Sequence, residues 1–246
     1  MKSLIALLLL FPQFALGQNL IEQGAKLYDQ RENMDNVYEA LKLFEKHLEK
    51  DPNSAEANWR ASMANYYIGH LIKGRRKRKR HFHLGIKYAE KCVEITQGKL
   101  VDCHFWLGTN VALLKQEKGL LSMAFGLKEI FDHFETSRKL DPKYASSGPY
   151  RMLAVLSFRA PGFLGGDSSK AYDYIKTAIK NSPNEPLNVY FYAQFLVDDD
   201  REAEALKYME SFIAKADPKK FAFFESRKAF KNLKHYVKNK RWLEEP

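Results

Sequence analysis

The sequence predicts an all-α fold built from paired helices, and three observations carry that expectation. Apolar residues recur at helical rather than strand spacing, prolines stop the segments, and one pattern of small and apolar residues appears three times over. In EALKLFEKHLEKDP, Ala40, Phe44, His47 and Pro52 stand at relative positions 0, 4, 7 and 12. The same offsets give Ile130, Phe134, Ser137 and Pro142, and then Ala171, Ile175, Ala178 and Pro183. Residues at 0, 4 and 7 share one helical face, and a proline beyond the C-terminus ends the helix and turns the chain. Two weaker copies carry Ala89 with Cys92, and Ala205, Met209 and Phe212 with Pro218 one residue late.

Taken in order, the chain begins with residues 1–17, which combine Lys2, an apolar run from Leu4 to Phe11, Pro12, and small residues at Ala15 and Gly17. This is the layout of a cleavable signal peptide cut after Gly17, because the apolar run is too short to span a bilayer. The expected location is therefore secreted or periplasmic. Residues 18–218 carry the repeats, and each second helix has a first helix before it: 20–28, 55–71, 101–114, 150–158 and 186–197. Together they make about five hairpins of the tetratricopeptide type, packed as a solenoid or a closed bundle. His104, Leu107 and Gly108 stand where that repeat has Trp, Leu and Gly, with the aromatic displaced to Trp106. Residues 219–246 form a basic helix with Phe223, Phe230, Leu233 and Val237 at roughly helical intervals, suited to capping the last apolar face.

With 246 residues, 45% hydrophobic and 28% charged, the composition is that of a folded soluble protein, and the net charge is +10. Six consecutive cations, Arg75, Arg76, Lys77, Arg78, Lys79 and Arg80, fall between the helices of the second hairpin, in a segment read as a loop. It is either a solvated connection or a docking patch for an acidic partner or an anionic surface; an exported chain does not meet nucleic acid. Cys92 and Cys103 either form one bridge across a hairpin turning near Gly98 or remain two buried thiols.

In FLGGDSSK the glycines lack the spacing of a phosphate-binding loop. Gly165 and Gly166 instead supply a tight entry turn, and Asp167 caps the helix opening at Ser168. Asp199 reads as a second cap, with Glu202 completing a capping box. His81-x-His83 has no third ligand and sits beside the cation run, so no metal site is expected. No nucleophile elbow or Cys/His pairing appears, so neither catalysis nor a cofactor is expected. Trp59, Tyr66, Trp106, Tyr150 and Tyr190, all on first helices, are candidates for lining a cavity or partner groove, although their spacing also suits interhelical core.

PGFLGGDSSKAYDYIKTAIKNSPN (Pro161 to Asn184), the following NVYFYAQFLVDDDREAEAL and the signal peptide resemble the T-component (TatT-like) family of TRAP-transporter-associated periplasmic proteins. The resemblance implies helix hairpins around a central cavity, homo-oligomerisation, and docking of a periplasmic solute-binding protein, with this chain expected to hold a small ligand in its helical cavity or pass it on. It implies no catalytic residues. The chain departs from many family members in lacking a lipid-accepting cysteine near the cleavage site. The alternative is a general tetratricopeptide scaffold whose groove takes a peptide or a cell-envelope protein.

Overall fold

The computed structural model describes residues 11–221 and 223–243, with side chains from residue 19 onward. The apolar run of the expected signal peptide lies almost wholly outside the described residues. Eleven α-helices and no strand occur among the described residues: α1 (Phe11–Asp29), α2 (Met34–Leu48), α3 (Ala55–Leu71), α4 (Arg75–Thr96), α5 (Val101–Lys118), α6 (Leu120–Leu140), α7 (Tyr144–Arg159), α8 (Ser168–Asn181), α9 (Pro186–Asp198), α10 (Glu202–Lys215) and α11 (Phe224–Asn239). The fold is all-α, made of tetratricopeptide-like hairpins. The chain forms two compact units that divide inside α6, at His133/Phe134. None of the helices described is long and apolar enough to cross a membrane.

In the first unit α1 pairs with α2 and α3 with α4, while α3 also touches the first helices α1 and α5. Side chains bind α5 to the first half of α6, with Lys115 3.7 Å from Glu129. In the second unit α7 packs on α8 and α9 on α10, and α7 also touches α9. Within each unit, the contact of one first helix with the next buries the repeat faces between them. Ala40, Phe44, Ile130, Phe134, Ala171, Ile175 and Ala178 are each 0% exposed, and so are the weaker-copy residues Ala89, Cys92, Ala205 and Met209. Helix α11 covers α9 and α10 with Ala229, Leu233 and Tyr236 buried.

Asp167 caps α8, its Oδ1 accepting from the Lys170 N–H at 3.0 Å. That bond is the first cause of its lowered carboxyl pKa. Gly165 has φ +94°, and a Cβ on Gly166 would stand 1.8 Å from the Ala160 carbonyl oxygen, so the turn before the cap excludes a side chain at residue 166. Asp199 is not a cap: α10 starts at Glu202 after Arg201, with no side-chain cap bond. Asp200 takes the left-handed conformation (φ 59°), and Asp199 instead accepts from the Tyr172 hydroxyl at 2.7 Å.

Helix α7 begins irregularly. Ala145, Ser146 and Ser147 have φ of 47°, 54° and 63°, three left-handed residues in a row. Side chains hold this turn in place. The Arg151 guanidinium donates to the carbonyls of Ser146 (3.3 Å) and Ala145 (3.4 Å) and to Asn188 Oδ1 (2.8 Å). The Asn188 amide donates to the Ser146 carbonyl at 3.2 Å.

Candidate interaction site

Half-buried aromatic side chains on the first helices of the first unit form one candidate surface. Trp59 and Tyr66 on α3 and Trp106 on α5 each pack one side against the buried core around Phe44 and Ile68. The Tyr66 and Trp106 rings lie 5.4 Å apart, and Tyr66 stacks on His70 with centroids 5.9 Å apart. The Arg60 guanidinium covers the Trp59 ring at 4.4 Å while its Nε pairs with Glu56 Oε1 at 2.9 Å. Partly exposed rings beside a fixed guanidinium offer flat apolar area and charge at low cost in side-chain entropy.

Tyr150 occupies a related place in the second unit. Its ring is 6.1 Å from Tyr174 and lies under the Arg138 guanidinium at 5.7 Å. Glu135 Oε1 accepts from the Tyr174 hydroxyl at 2.8 Å, and its Oε2 accepts from Arg138 Nη2 at 2.6 Å. Burial pushes the Glu135 carboxyl up, but the bonds from Arg138 and Tyr174 outweigh it and hold it below the usual carboxylate range. Burial, with the bond to Glu135, pushes the Tyr174 hydroxyl up to about 12. Tyr190 is not a groove residue. It is 1% exposed, packs against Trp242 with centroids 5.0 Å apart and accepts from Gln194 Nε2 at 2.8 Å.

The basic run is not a loop. Arg75 to Arg80 form the first turns of α4, entered through Gly74 at φ +100°. Arg and Lys are good helix formers, and distant contacts anchor the segment. Arg78 Nε reaches Glu117 Oε1 at 2.7 Å, Arg75 Nε donates to the Glu117 carbonyl at 2.8 Å, and Phe82 is buried. The helix also separates the two histidines: His81 bonds Asn65 Oδ1 at 2.9 Å, while His83 turns to the opposite side with Arg76, Lys79 and Arg80. His83, Lys87 and Lys118 therefore join three of the predicted patch residues. Their spacing from Arg76 and Arg80 is helical, but that signal reads only once the run itself is helical.

Cys92 and Cys103 form a disulfide joining α4 to α5. Among the described residues, no group of three His, Cys, Asp or Glu side chains is placed to hold a metal ion.

Stacked first and second helices with aromatic faces on the first helices define a tetratricopeptide-like helical-repeat protein. The chain belongs to the family of regulator of microtubule dynamics proteins 1-3, whose sequence model matches residues 20–156. No curated protein matches the sequence. Among solved structures it is similar to TTC0263, a thermophilic tetratricopeptide protein of Thermus thermophilus, with 19% identity over 88% of this chain and 98% of that one, and a TM-score of 0.65. It is also similar to MamA, with 16% identity over 76% of this chain and 92% of that one (TM-score 0.51), and to a double mutant of MamA RS-1, with 13% identity over 82% and 93% (TM-score 0.53). At these identities the likeness concerns the fold.

Proposed function

We propose that this chain is a non-catalytic scaffold that binds a segment of a partner protein through the aromatic faces of its first helices. One observation carries the reading. Tyr66 and Trp106, on the consecutive first helices α3 and α5, sit ring to ring and are only half-buried. Helical arrays bind partners along such faces. The name of the family, regulator of microtubule dynamics, favours a protein as the partner. Docking of a periplasmic solute-binding protein rests only on the resemblance of Pro161 to Asn184, the segment after it and the signal peptide, whereas TTC0263 and MamA support the general scaffold reading, which takes precedence. An oxidising compartment is part of the proposal, supported by the Cys92–Cys103 bridge.

Selection from a displayed peptide library, followed by fluorescence anisotropy of the selected peptide, tests the site. The double variant Tyr66→Ala with Trp106→Ala is expected to weaken binding about tenfold or more, in line with loss of two aromatic anchors. Unchanged affinity in a folded double variant would place the binding face elsewhere. Sedimentation of the same sample reads out self-association.

A further inference from the structure

Five of the six cations of the run fall into two groups once the run is wound into α4. Arg75 and Arg78 are tied to Glu117 of α5. Arg76, Lys79 and Arg80 instead open onto a concavity of about 560 Å³, completed by His83, Lys87 and Lys118. None of the side chains lining it is a carboxylate. Arg76, Arg80, His83 and Lys87 follow one another at helical spacing, so they form a row roughly 16 Å long. That row matches about five residues of an extended chain.

The cluster also stands where the fold itself disfavours it. Cations at a helix N-terminus face the positive end of the macrodipole, and the first turn of α4 contains no acidic residue. His83 registers the local field: desolvation lowers its pKa first, and the charges of Lys118, Lys87 and Lys79 lower it further. At neutral pH it is an uncharged hydrogen-bonding group among ammonium and guanidinium groups. A bound anion relieves this repulsion, whereas Arg75 and Arg78 are already satisfied by Glu117.

We propose that this basic concavity on α4, closed by Lys118 of α5, is a docking site for an extended acidic segment of a partner protein. The inference rests on the scaffold reading and specifies the partner's chemistry. Leu84 is the one apolar side chain among the lining residues, so recognition there is by charge and length, with carboxylates spaced along the row. A row of this kind raises the encounter rate with an acidic partner, and that contribution falls steeply with salt.

The test uses the whole chain and a labelled oligo-glutamate peptide in fluorescence anisotropy at low and high salt. The quadruple variant Arg76→Gln, Lys79→Gln, Arg80→Gln and Lys87→Gln keeps good helix formers in place, and circular dichroism checks its fold. Its control removes the same charge from the exposed positions Lys219, Lys231, Lys234 and Lys238, each replaced by Gln. The expected result is a loss of about tenfold or more in affinity with a flattened salt slope for the first variant, and less than about twofold for the control. Equal losses in both variants would reduce the effect to net charge and overturn the site. Displacement by tripolyphosphate or by phosphatidylserine vesicles at lower charge concentration than the glutamate peptide would overturn the ligand class. If the library-selected peptide binds at Tyr66 and Trp106 while oligo-glutamate does not bind, this inference fails and the scaffold reading stands. The converse result would fail the aromatic site alone.

Discussion

Gly85 on α4 lies directly against the side chain of Asn110 on α5: a Cβ at residue 85 would stand 2.2 Å from Asn110 Oδ1. Asn110 cannot move aside easily. It is 0% exposed, and its amide donates to the Ser62 carbonyl (3.3 Å), to Ser62 Oγ (3.1 Å) and to the Trp106 carbonyl (2.9 Å). Its Oδ1 accepts no conventional hydrogen bond among the described residues. Gly85→Ala gains about 1 kcal/mol of helix propensity and forces an overpacked core costing about 1–3 kcal/mol. The expected sum is destabilisation, measured by urea unfolding. Asn110→Ala in the Gly85→Ala background should cost less than Asn110→Ala alone, and additive costs would refute the close contact.

The left-handed turn at the start of α7 makes a prediction of opposite sign. A non-glycine residue in that region costs roughly 1–2 kcal/mol relative to glycine, and Ser146 holds φ 54°. Ser146→Gly should therefore raise stability by about 1 kcal/mol, less the extra freedom of the unfolded chain. Asn188→Ala should lower it by about 1–3 kcal/mol by removing the amide that satisfies the Ser146 carbonyl. Thermal unfolding of both variants checks the pair, and a destabilised Ser146→Gly protein would count against the turn.

The bridge between Cys92 and Cys103 closes a short loop, the two residues being 11 apart in sequence. Reduction should cost about 2–3 kcal/mol, the usual loss for a loop of that size. Oxidised, denatured protein should show no reactive thiol on titration. Two thiols per chain would contradict the bridge.

His104 and His133 give the first unit a dependence on pH. Their Nδ1 atoms are 3.3 Å apart, and His104 Nε2 donates to the Gly98 carbonyl at 3.2 Å; in the neutral pair, His133 Nδ1–H is then the donor to His104 Nδ1. Burial lowers the pKa of His104 against the opposing Gly98 carbonyl. Burial and then His104 lower that of His133, against Glu129 and Asp132. With both values depressed, the unfolded chain binds more protons below its own value of about 6.5. The contribution is therefore complete above that pH and is lost as pH falls through the lower folded values. The melting temperature should decline as pH drops from about 6.5 toward 5, and His133→Gln should flatten that decline. An unchanged profile would mean that the pair does not titrate with folding.

Asp167→Ala should lower the melting temperature by removing the acceptor of the Lys170 N–H, and Asp167→Asn should restore most of it. Loss of partner binding without a change in melting temperature would assign Asp167 to recognition rather than capping.

Much of the fold is legible in single segments. The prolines at 52, 142 and 183 follow three second helices, and the residues at offsets 0, 4 and 7 turn inward in all three, with His47 8% exposed and Ser137 0% exposed. Helix α3 runs over Ala55–Leu71, the range its periodicity predicts. The aromatic residues separate less cleanly. Tyr66, Trp106 and Tyr190 have the same kind of position in their helices, yet Tyr190 is buried because Trp242, far along the chain, packs on it.

The sequence by itself determined the all-α class, the paired helices, their inward faces and the cap at Asp167, because helical period, proline stops and N-cap bonds act over a few neighbouring residues. The tertiary structure decided the rest. It wound Arg75 to Arg80 into α4 through Glu117, 39 residues beyond Arg78, and sorted those cations into paired and open groups. It joined Cys92 to Cys103 and held Ala145 to Ser147 left-handed through Arg151 and Asn188. Each of these depends on which distant side chain arrives at hydrogen-bonding or packing distance. A local pattern of residue types carries no record of that meeting.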